Sequence, residues 1–265
     1  MSTEAGTANR DRWSTAAHPL EEAVRPVYTT LSIIVPVYNE RRTVMNLLQI
    51  VMRQDVGHLA KELVIVDDLS TDGTREYLQE MDLASLFGRD GNTVKLVLHE
   101  KNMGKGAGVR TALRHASGDL VLIQDADLEY DPKDYPELLK PILDGHADAV
   151  FGNRFHEGAH RVPRFYRYVL NRCFSIMCNM LTNLALNDVT ACYKVFTREV
   201  LDRINIKSDR FSLETELTVK LAKVGARIYE VPIVYHGRTY AEGKKISWKD
   251  GVAATYHLFR YRFRD

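Results

Sequence analysis

Apolar residues along this chain follow two rhythms. From Leu31 to Gly152, short β-rich apolar runs alternate with segments whose apolar residues recur every three or four positions, the pattern of parallel strands joined by crossover helices. The runs predict strands over 31–37, 62–67, 94–98, 119–124 and 147–151. Between them, helical spacing covers 40–54, 73–83, 106–116 and 133–144, with Ser117-Gly118 and Asp144-Gly145 as helix stops. The pattern implies an open α/β sheet. Beyond Gly152 come a basic, aromatic helix (164–186), a short strand (191–196), a helix (213–224), two strand-like runs around Pro232 and a terminal helix (248–262). This second half reads as a lid and acceptor region built onto the sheet.

Composition narrows the classes. With 265 residues and 45% hydrophobic side chains, the chain can bury one large α/β core. Lys plus Arg (36) nearly balance Asp plus Glu (35), so no basic excess points to nucleic acid. Cys173, Cys178 and Cys192 have neither an even count nor CxxC spacing, which argues against a disulfide framework or zinc site and fits a reducing, cytoplasmic setting. Residues 1–30 carry charges without an apolar core, so they read as a flexible tail and not a secretory signal. The longest apolar stretch, 173–186, is broken by Ser175, Asn179, Thr182 and Asn183, whereas a spanning helix needs about 20 mostly apolar residues.

In open α/β sheets ligands bind at the carboxyl ends of the strands. Polar residues gather there: Pro36 to Glu40, Asp67 to Gly73, Asn102 to Gly106, and Asp125 to Glu129. Asp125, Asp127 and Glu129 alternate with Ala126 and Leu128, so an extended chain would turn all three carboxylates to one side, a donor set suited to Mg²⁺ or Mn²⁺. Asp68 to Gly73 looks like half a calcium loop, but Gln79 stands where the bidentate Glu should be. Asp67 and Asp68 instead fit acceptors for a base or ribose, with Ser70 or Asp72 capping the next helix. Gly104, Gly106 and Gly108 match neither a phosphate loop nor a dinucleotide fingerprint, yet would let a ligand approach the backbone beside Lys105 and Arg110. Arg161, Arg164, Arg167 and Arg172, interleaved with Phe165, Tyr166 and Tyr168, suit the surface of an anionic membrane or a core helix with a basic end.

These motifs together resemble a family 2 glycosyltransferase of the GT-A fold, a Rossmann-like, mostly parallel sheet with helices on both faces and a C-terminal acceptor region. Within that family the chain is similar to the dolichol-phosphate mannose synthase group of polyprenyl-phosphate sugar transferases, from about Leu31 to Gly251. The resemblance implies that Pro36, Tyr38, Asn39, Glu40, Asp67 and Asp68, with Lys105, hold the nucleotide donor. It assigns Asp125, Asp127 and Glu129 to the metal and diphosphate. Arg154, in a segment resembling the family's G-S-R, becomes a phosphate ligand, and Arg167 and Asn171 fall beside the lipid phosphate. Asp188 and Lys194, in a stretch similar to D-x-x-x-G-F-[KR] with Cys192 at the small residue, line the sugar and acceptor pocket. Phe211 to Glu216 resembles a segment whose acids face the site, and 237–248 a mobile loop whose Arg238 and Lys244 engage phosphates. Catalysis falls to Asp125, Asp127, Arg154, Lys194 and Arg238. Many relatives carry C-terminal membrane helices that are not found before Asp265 here, so membrane contact is expected from 164–181 and the terminal helix, at the cytoplasmic face.

The implied organisation is a tail (1–30), a catalytic domain (31–236), and a loop with an amphipathic helix (237–265). The implied reaction is an inverting transfer of a hexose from a GDP-mannose or UDP-glucose type donor to a polyprenyl phosphate. An acceptor phosphate is already anionic and needs no base. A hydroxyl acceptor would need one, such as Glu214 or Glu216. A non-catalytic nucleotide-sugar binding module is the third reading.

Overall fold

The computed structural model describes residues 26–156, 162, 164–210, 212–238 and 248–264. Most of the expected tail and of the 237–248 loop, with Lys244, Arg161 and Phe211, lies outside the described residues. In chain order the elements are β1 (Thr30–Val37), α1 (Val44–Arg53), β2 (Ala60–Asp67), α2 (Thr74–Glu80), α3 (Leu83–Phe87), β3 (Thr93–Leu98), α4 (Lys105–His115) and β4 (Leu120–Ile123). After a 3-10 turn at Pro132–Asp134 come α5 (Tyr135–Leu143), β5 (Ala149–Asn153), α6 (Phe165–Thr182), β6 (Lys194–Thr197), α7 (Arg198–Asp202), α8 (Leu213–Lys223), β7 (Ile228–Pro232) and α9 (Trp248–Phe263).

The seven strands form one sheet in the order β3-β2-β1-β4-β6-β5-β7. Six run parallel, while β6 pairs antiparallel with both β4 and β5. The second half is therefore not merely appended, because β6 and β7 complete the sheet.

Alternation along the strands builds three layers. Leu31, Ile33 and Val35 of β1, Leu63 and Ile65 of β2, and Leu120 and Leu122 of β4 join one core with Leu47, Leu48 and Val51 of α1 and Leu138 and Ile142 of α5. Their neighbours Ile34, Val64, Val66, Val121 and Ile123 face a second core with Val109 and Ala112 of α4, Leu217 and Leu221 of α8, and Leu258 and Tyr261 of α9. Each fully buried Leu, Ile or Val among them contributes on the order of 1.5–3 kcal/mol.

Two helix boundaries depart from the sequence pattern. The 73–83 run splits at Asp82, whose carboxylate caps α3 by accepting from the Ser85 N–H. The run 164–186 stops at Thr182 because Asn183 turns left-handed (φ 58°) and the Asn179 side chain clasps both backbone groups of Leu186.

Candidate active site

The loops after β1 and β2 are laced together. The Asn39 N–H donates to Ser70 Oγ (2.9 Å), the Thr71 N–H to Asn39 Oδ1 (2.7 Å), and the Thr74 and Arg41 N–H groups to Asp72. Asp72 thus serves the start of α2, whereas Ser70 serves the β1 loop. Pro36, next to last in β1, lies against Gly108, and Tyr38 just past the strand is exposed.

The two adjacent aspartates have different fates. Asp67 is fully buried and its Oδ1 has no hydrogen-bond partner among the described residues. Asp68 is committed to the protein: its carboxylate accepts from the Met103 N–H (2.8 Å), the Gly104 N–H (2.7 Å) and His99 Nδ1 (2.8 Å). The expectation that Asp68 binds a base or ribose is corrected, since these bonds shape the turn that starts α4. The glycines there are likewise structural. A Cβ on Gly104 or Gly106 would collide with the carbonyl oxygen of Asp209 or Ser208, so they admit the protein's own backbone and not a ligand. Arg110 holds the same stretch through the Lys207 and Ser208 carbonyls.

Beyond β4 the chain does not stay extended. Leu128 is left-handed (φ 59°), and the Glu129 N–H donates to Asp127 Oδ1 (3.1 Å). The three carboxylates are therefore divided between two cations. Asp125 pairs with Lys105 (2.7 Å), Asp127 with Arg238 (2.6 Å), and Glu129 with Arg238 Nε (3.2 Å) and the Tyr235 hydroxyl. Among the described residues no three His, Cys, Asp or Glu side chains are gathered to hold one metal ion. The one-sided alternation expected from the sequence is corrected by that turn.

Charge nevertheless favours a cation here. Arg238 Nη1 also lies 3.3 Å from Glu40, so one guanidinium serves Glu40, Asp127 and Glu129. Burial, reinforced by the charges of Asp125 and Glu129 and only partly opposed by Arg238, pushes the Asp127 carboxyl up to about 7. Hard oxygen donors gathered around a carboxyl whose pKa is pushed up suit Mg²⁺ or Mn²⁺. Such an ion and the Arg238 guanidinium would compete for the same oxygens.

A second cluster surrounds Arg154. Its Nε and Nη2 fork onto Asp188 (2.7 and 2.8 Å), and Nη2 also donates to Thr190 (2.7 Å). Asn171 of α6 donates to Asp188 (3.2 Å) and Thr190. Burial alone would raise the Asp188 pKa, but the Arg154 charge and hydrogen bonds hold it below its ordinary value. Arg167 is turned to the Tyr166 hydroxyl (3.1 Å). Lys194, expected in the pocket, is fully buried at the start of β6, its ammonium on the carbonyls of Val189 and Ala191 and over the Phe151 ring. It positions the 188–192 loop, and burial lowers its pKa.

Lys105 lies between Asp125 and Glu214 (3.3 Å), and Cys192 Sγ donates to Glu214 (3.3 Å). Burial opposes the Lys105 charge, but Asp125, Cys192 and Glu214 outweigh it and raise the pKa. Of the two carboxylates offered as a base, only Glu214 reaches this group. Glu216 accepts from the backbone N–H groups of Lys207 and Ser208 and pairs with Lys220.

Sequence reasoning missed a tyrosine belt and one acid. Tyr130 accepts from the Cys192 N–H (3.0 Å), and the Tyr135 and Tyr193 hydroxyls both donate to Gln124 Oε1 (2.8 and 2.7 Å). Tyr235 joins the two clusters: its hydroxyl is on Glu129 and its ring lies 5.0 Å from the Arg154 guanidinium carbon. Glu230 of β7 accepts from the Asn187 and Asp188 N–H groups (2.8 and 2.9 Å) and so sets Asp188 in place. Tyr235 follows β7, so the strand-end rule applied to the second half would have found it.

A mostly parallel sheet whose carboxyl edge carries Asp125-Ala126-Asp127 is the arrangement expected of the GT-A fold. Solved structures agree: glucosyl-3-phosphoglycerate synthase from Mycobacterium tuberculosis, in complex with Mn²⁺, UDP and glucosyl-3-phosphoglycerate, superposes with a TM-score of 0.64 over 88% of this chain and 80% of that one. At 20% identity the likeness is one of fold. The same enzyme with Mg²⁺ and UDP also gives a TM-score of 0.64, at 19% identity, over 88% of this chain and 78% of its own. Residues 32–204 match glycosyl transferase family 2, and the chain belongs to that family. Its relatives include glycosyltransferase AglJ of Haloferax volcanii, 29% identical over 89% of this chain and 73% of the relative. Dodecaprenyl-phosphate galacturonate synthase of Rhizobium johnstonii is 25% identical over 92% of this chain and 69% of its own length. The protein is thus a glycosyltransferase related to polyprenyl-phosphate sugar synthases.

Proposed function

We propose that the protein moves a hexose, with inversion, from a nucleotide diphosphosugar of the GDP-mannose or UDP-glucose type to a polyprenyl phosphate at the cytoplasmic face of a membrane. One observation carries the reading: the Arg238 guanidinium meets Glu40, Asp127 and Glu129 together, three carboxylates where a cation beside the donor diphosphate would sit. Asp125, Asp127 and Glu129 would hold Mg²⁺ or Mn²⁺, which when bound neutralises a departing diphosphate. The unpartnered Oδ1 of Asp67 offers an acceptor to a base N–H at the buried end of the donor site. Arg238, released from the acids, would meet donor or acceptor phosphate oxygens. No described residue accepts from Arg154 Nη1, which leaves that edge for the acceptor phosphate beside Asn171. Arg167 and Lys244 are further phosphate ligands on this reading. On this reading residues 31–236 are the catalytic domain, and 237–265 a mobile loop followed by an amphipathic helix. The relative named for a dodecaprenyl-phosphate product supports the choice of acceptor.

Glu214 favours a second reading, because its carboxylate stands beside Lys105 and Asp125 where a base for a sugar hydroxyl would be useful. The test is incubation of the purified protein with a panel of nucleotide sugars, Mg²⁺ or Mn²⁺ and a short polyprenyl phosphate, read by mass spectrometry. A sugar-phosphate-lipid product lost in excess chelator is expected. Product only with a hydroxyl acceptor would replace the first reading with the second, and donor binding without turnover on either acceptor would sink both.

A further inference from the structure

One aromatic ring stands between the two arginine clusters. Tyr235, just beyond β7, is half-buried; its hydroxyl donates to Glu129 Oε2, and its ring centre lies 5.0 Å from the guanidinium carbon of Arg154. The segment that carries it is strapped down. The Val234 N–H donates to Asp134 (2.7 Å), the Tyr235 backbone bridges Tyr130, and the His236 N–H donates to the Glu129 carbonyl (2.7 Å). The ring packs on Tyr130, with centroids 5.1 Å apart, and Tyr130 packs in turn on Tyr193 (4.9 Å). Gly237 covers the ring from the other side: a Cβ there would come within 2.7 Å of it and push it aside. The chain thereby folds back so that the Arg238 N–H reaches Glu129 (2.9 Å). The other tyrosines of the belt serve neutral groups, Tyr135 and Tyr193 on Gln124 and Tyr130 on the Cys192 N–H. Tyr235 instead links an acid of one cluster to the cation of the other.

We propose that Tyr235 is a positioning residue that couples the two ends of the site, so that Glu129 holding a divalent cation strengthens the grip of Arg154 on an anionic acceptor group. The inference rests on the proposed function for what occupies each end. While Glu129 is ionised and accepts from the phenol, the polarised ring presents a more negative face to the Arg154 guanidinium and holds it there. When Glu129 gives its charge to a divalent ion, which draws more from it than a guanidinium shared among three acids, the phenol is less polarised. Arg154 is then freer to turn its Nη1 edge to a phosphate oxygen. Linkage makes the effect mutual: a phosphate on Arg154 must favour the cation by the same factor.

The experiment uses the full chain and two probes, Mn²⁺ followed by electron paramagnetic resonance and geranyl phosphate followed by calorimetry, corrected for their pairing in buffer. Moderate salt screens direct attraction between charges a Debye length apart. Saturating Mn²⁺ is expected to tighten geranyl phosphate binding roughly fivefold, the low end of typical couplings, and saturating geranyl phosphate to tighten Mn²⁺ equally. Tyr235→Phe keeps the ring and loses the bond to Glu129. Each probe should still bind it alone, while the coupling falls below about twofold. Tyr135→Phe takes a buried hydroxyl from Gln124 in the same belt and should keep the wild-type coupling, whatever it does to the melting temperature. Independent binding of the two probes to the wild type, or undiminished coupling in Tyr235→Phe, would overturn the role of Tyr235 and leave the proposed function standing. Equal loss of coupling in Tyr135→Phe would overturn it too, since a general loosening of the belt would then be the cause. If either probe fails to bind the wild type, the inference falls together with the function on which it rests.

Discussion

Two arginines at the same edge of the sheet meet carboxylates with opposite results. Arg154 forks onto Asp188, one charge against one, with Asn171, Thr190 and Glu230 completing the arrangement. Arg238 is divided among Glu40, Asp127 and Glu129, with a further carboxylate, Asp125, nearby on Lys105. In the first cluster the buried acid is held ionised, and in the second burial and its neighbours push Asp127 toward protonation. A balanced buried pair is scaffolding, which breaks if either half is removed. Several carboxylates gathered on one guanidinium are instead the kind of cluster that can take a cationic ligand. Tyr235, touching both, is the joint between the two clusters.

The comparison breaks most visibly at Asp127. Asp127→Asn keeps the shape and removes the charge, so transfer should fall by roughly 10²–10³-fold, the size expected for one transition-state-stabilising group. The melting temperature should not fall, because a repelled charge has gone. Initial rates and a thermal melt on one preparation test both halves. Wild-type rates in the variant would make the acid cluster incidental.

The other cluster should fail in the opposite way. Asp188→Asn leaves the Arg154 guanidinium buried without its counter-charge, at a cost of about 3–5 kcal/mol of stability. Urea unfolding measures it, and replacing Arg154 by Met in the same chain should recover part of the loss. An Asp188→Asn protein as stable as the wild type would remove the scaffold role.

Why the sequence made one half of this comparison legible and blurred the other is a matter of where each group finds its partner. The strands of the first half announce themselves because alternate residues of β1, β2 and β4 must fill two cores. Asp125 and Asp127 are visible because a run of apolar residues ends on them. Their partners are not, since Arg238 reaches Asp127 across 111 positions of chain. β6 is four buried residues whose place between β4 and β5 depends on tertiary pairing, so its antiparallel insertion leaves no local trace. Asp68, Gly104, Gly106 and Lys194 share one kind of misreading. A polar or small residue at a strand end looks the same in sequence whether it serves a ligand or the protein's own backbone. Glu230 and the tyrosines went unnoticed because an isolated acid on an edge strand and scattered aromatics carry no spacing signal.

The finest test of the comparison is pH, in the metal-free protein. Asp127 is pushed up to about 7 in the folded chain and the half-buried Asp134, which accepts from the Val234 N–H, to about 6, both above the ordinary carboxyl value of about 3.9. Between pH 4 and 7 the folded chain therefore holds more protons at these sites than the unfolded one, and their contribution to stability falls as pH rises. Asp188 and Glu62 act in the other direction. Glu62 is lowered to about 2 by hydrogen bonds from Lys95, Ser32 and Ser117 that overcome its burial. The stability that these depressed acids supply is fully present above about pH 4 and is lost as pH falls below it. The wild type and Asp127→Asn should then melt together near pH 4 and separate toward pH 8, the variant being more stable by on the order of a few kcal/mol at most. Asp134 remains in both, so the variant's curve should flatten without becoming level. Adding Mg²⁺ at pH 8 should narrow the gap by raising the wild type, because the ion neutralises the repulsion that the substitution removes. A gap that stays the same from pH 4 to 8, or that magnesium leaves untouched, would mean that Arg238 already satisfies Asp127 and that the two arginine clusters are of one kind.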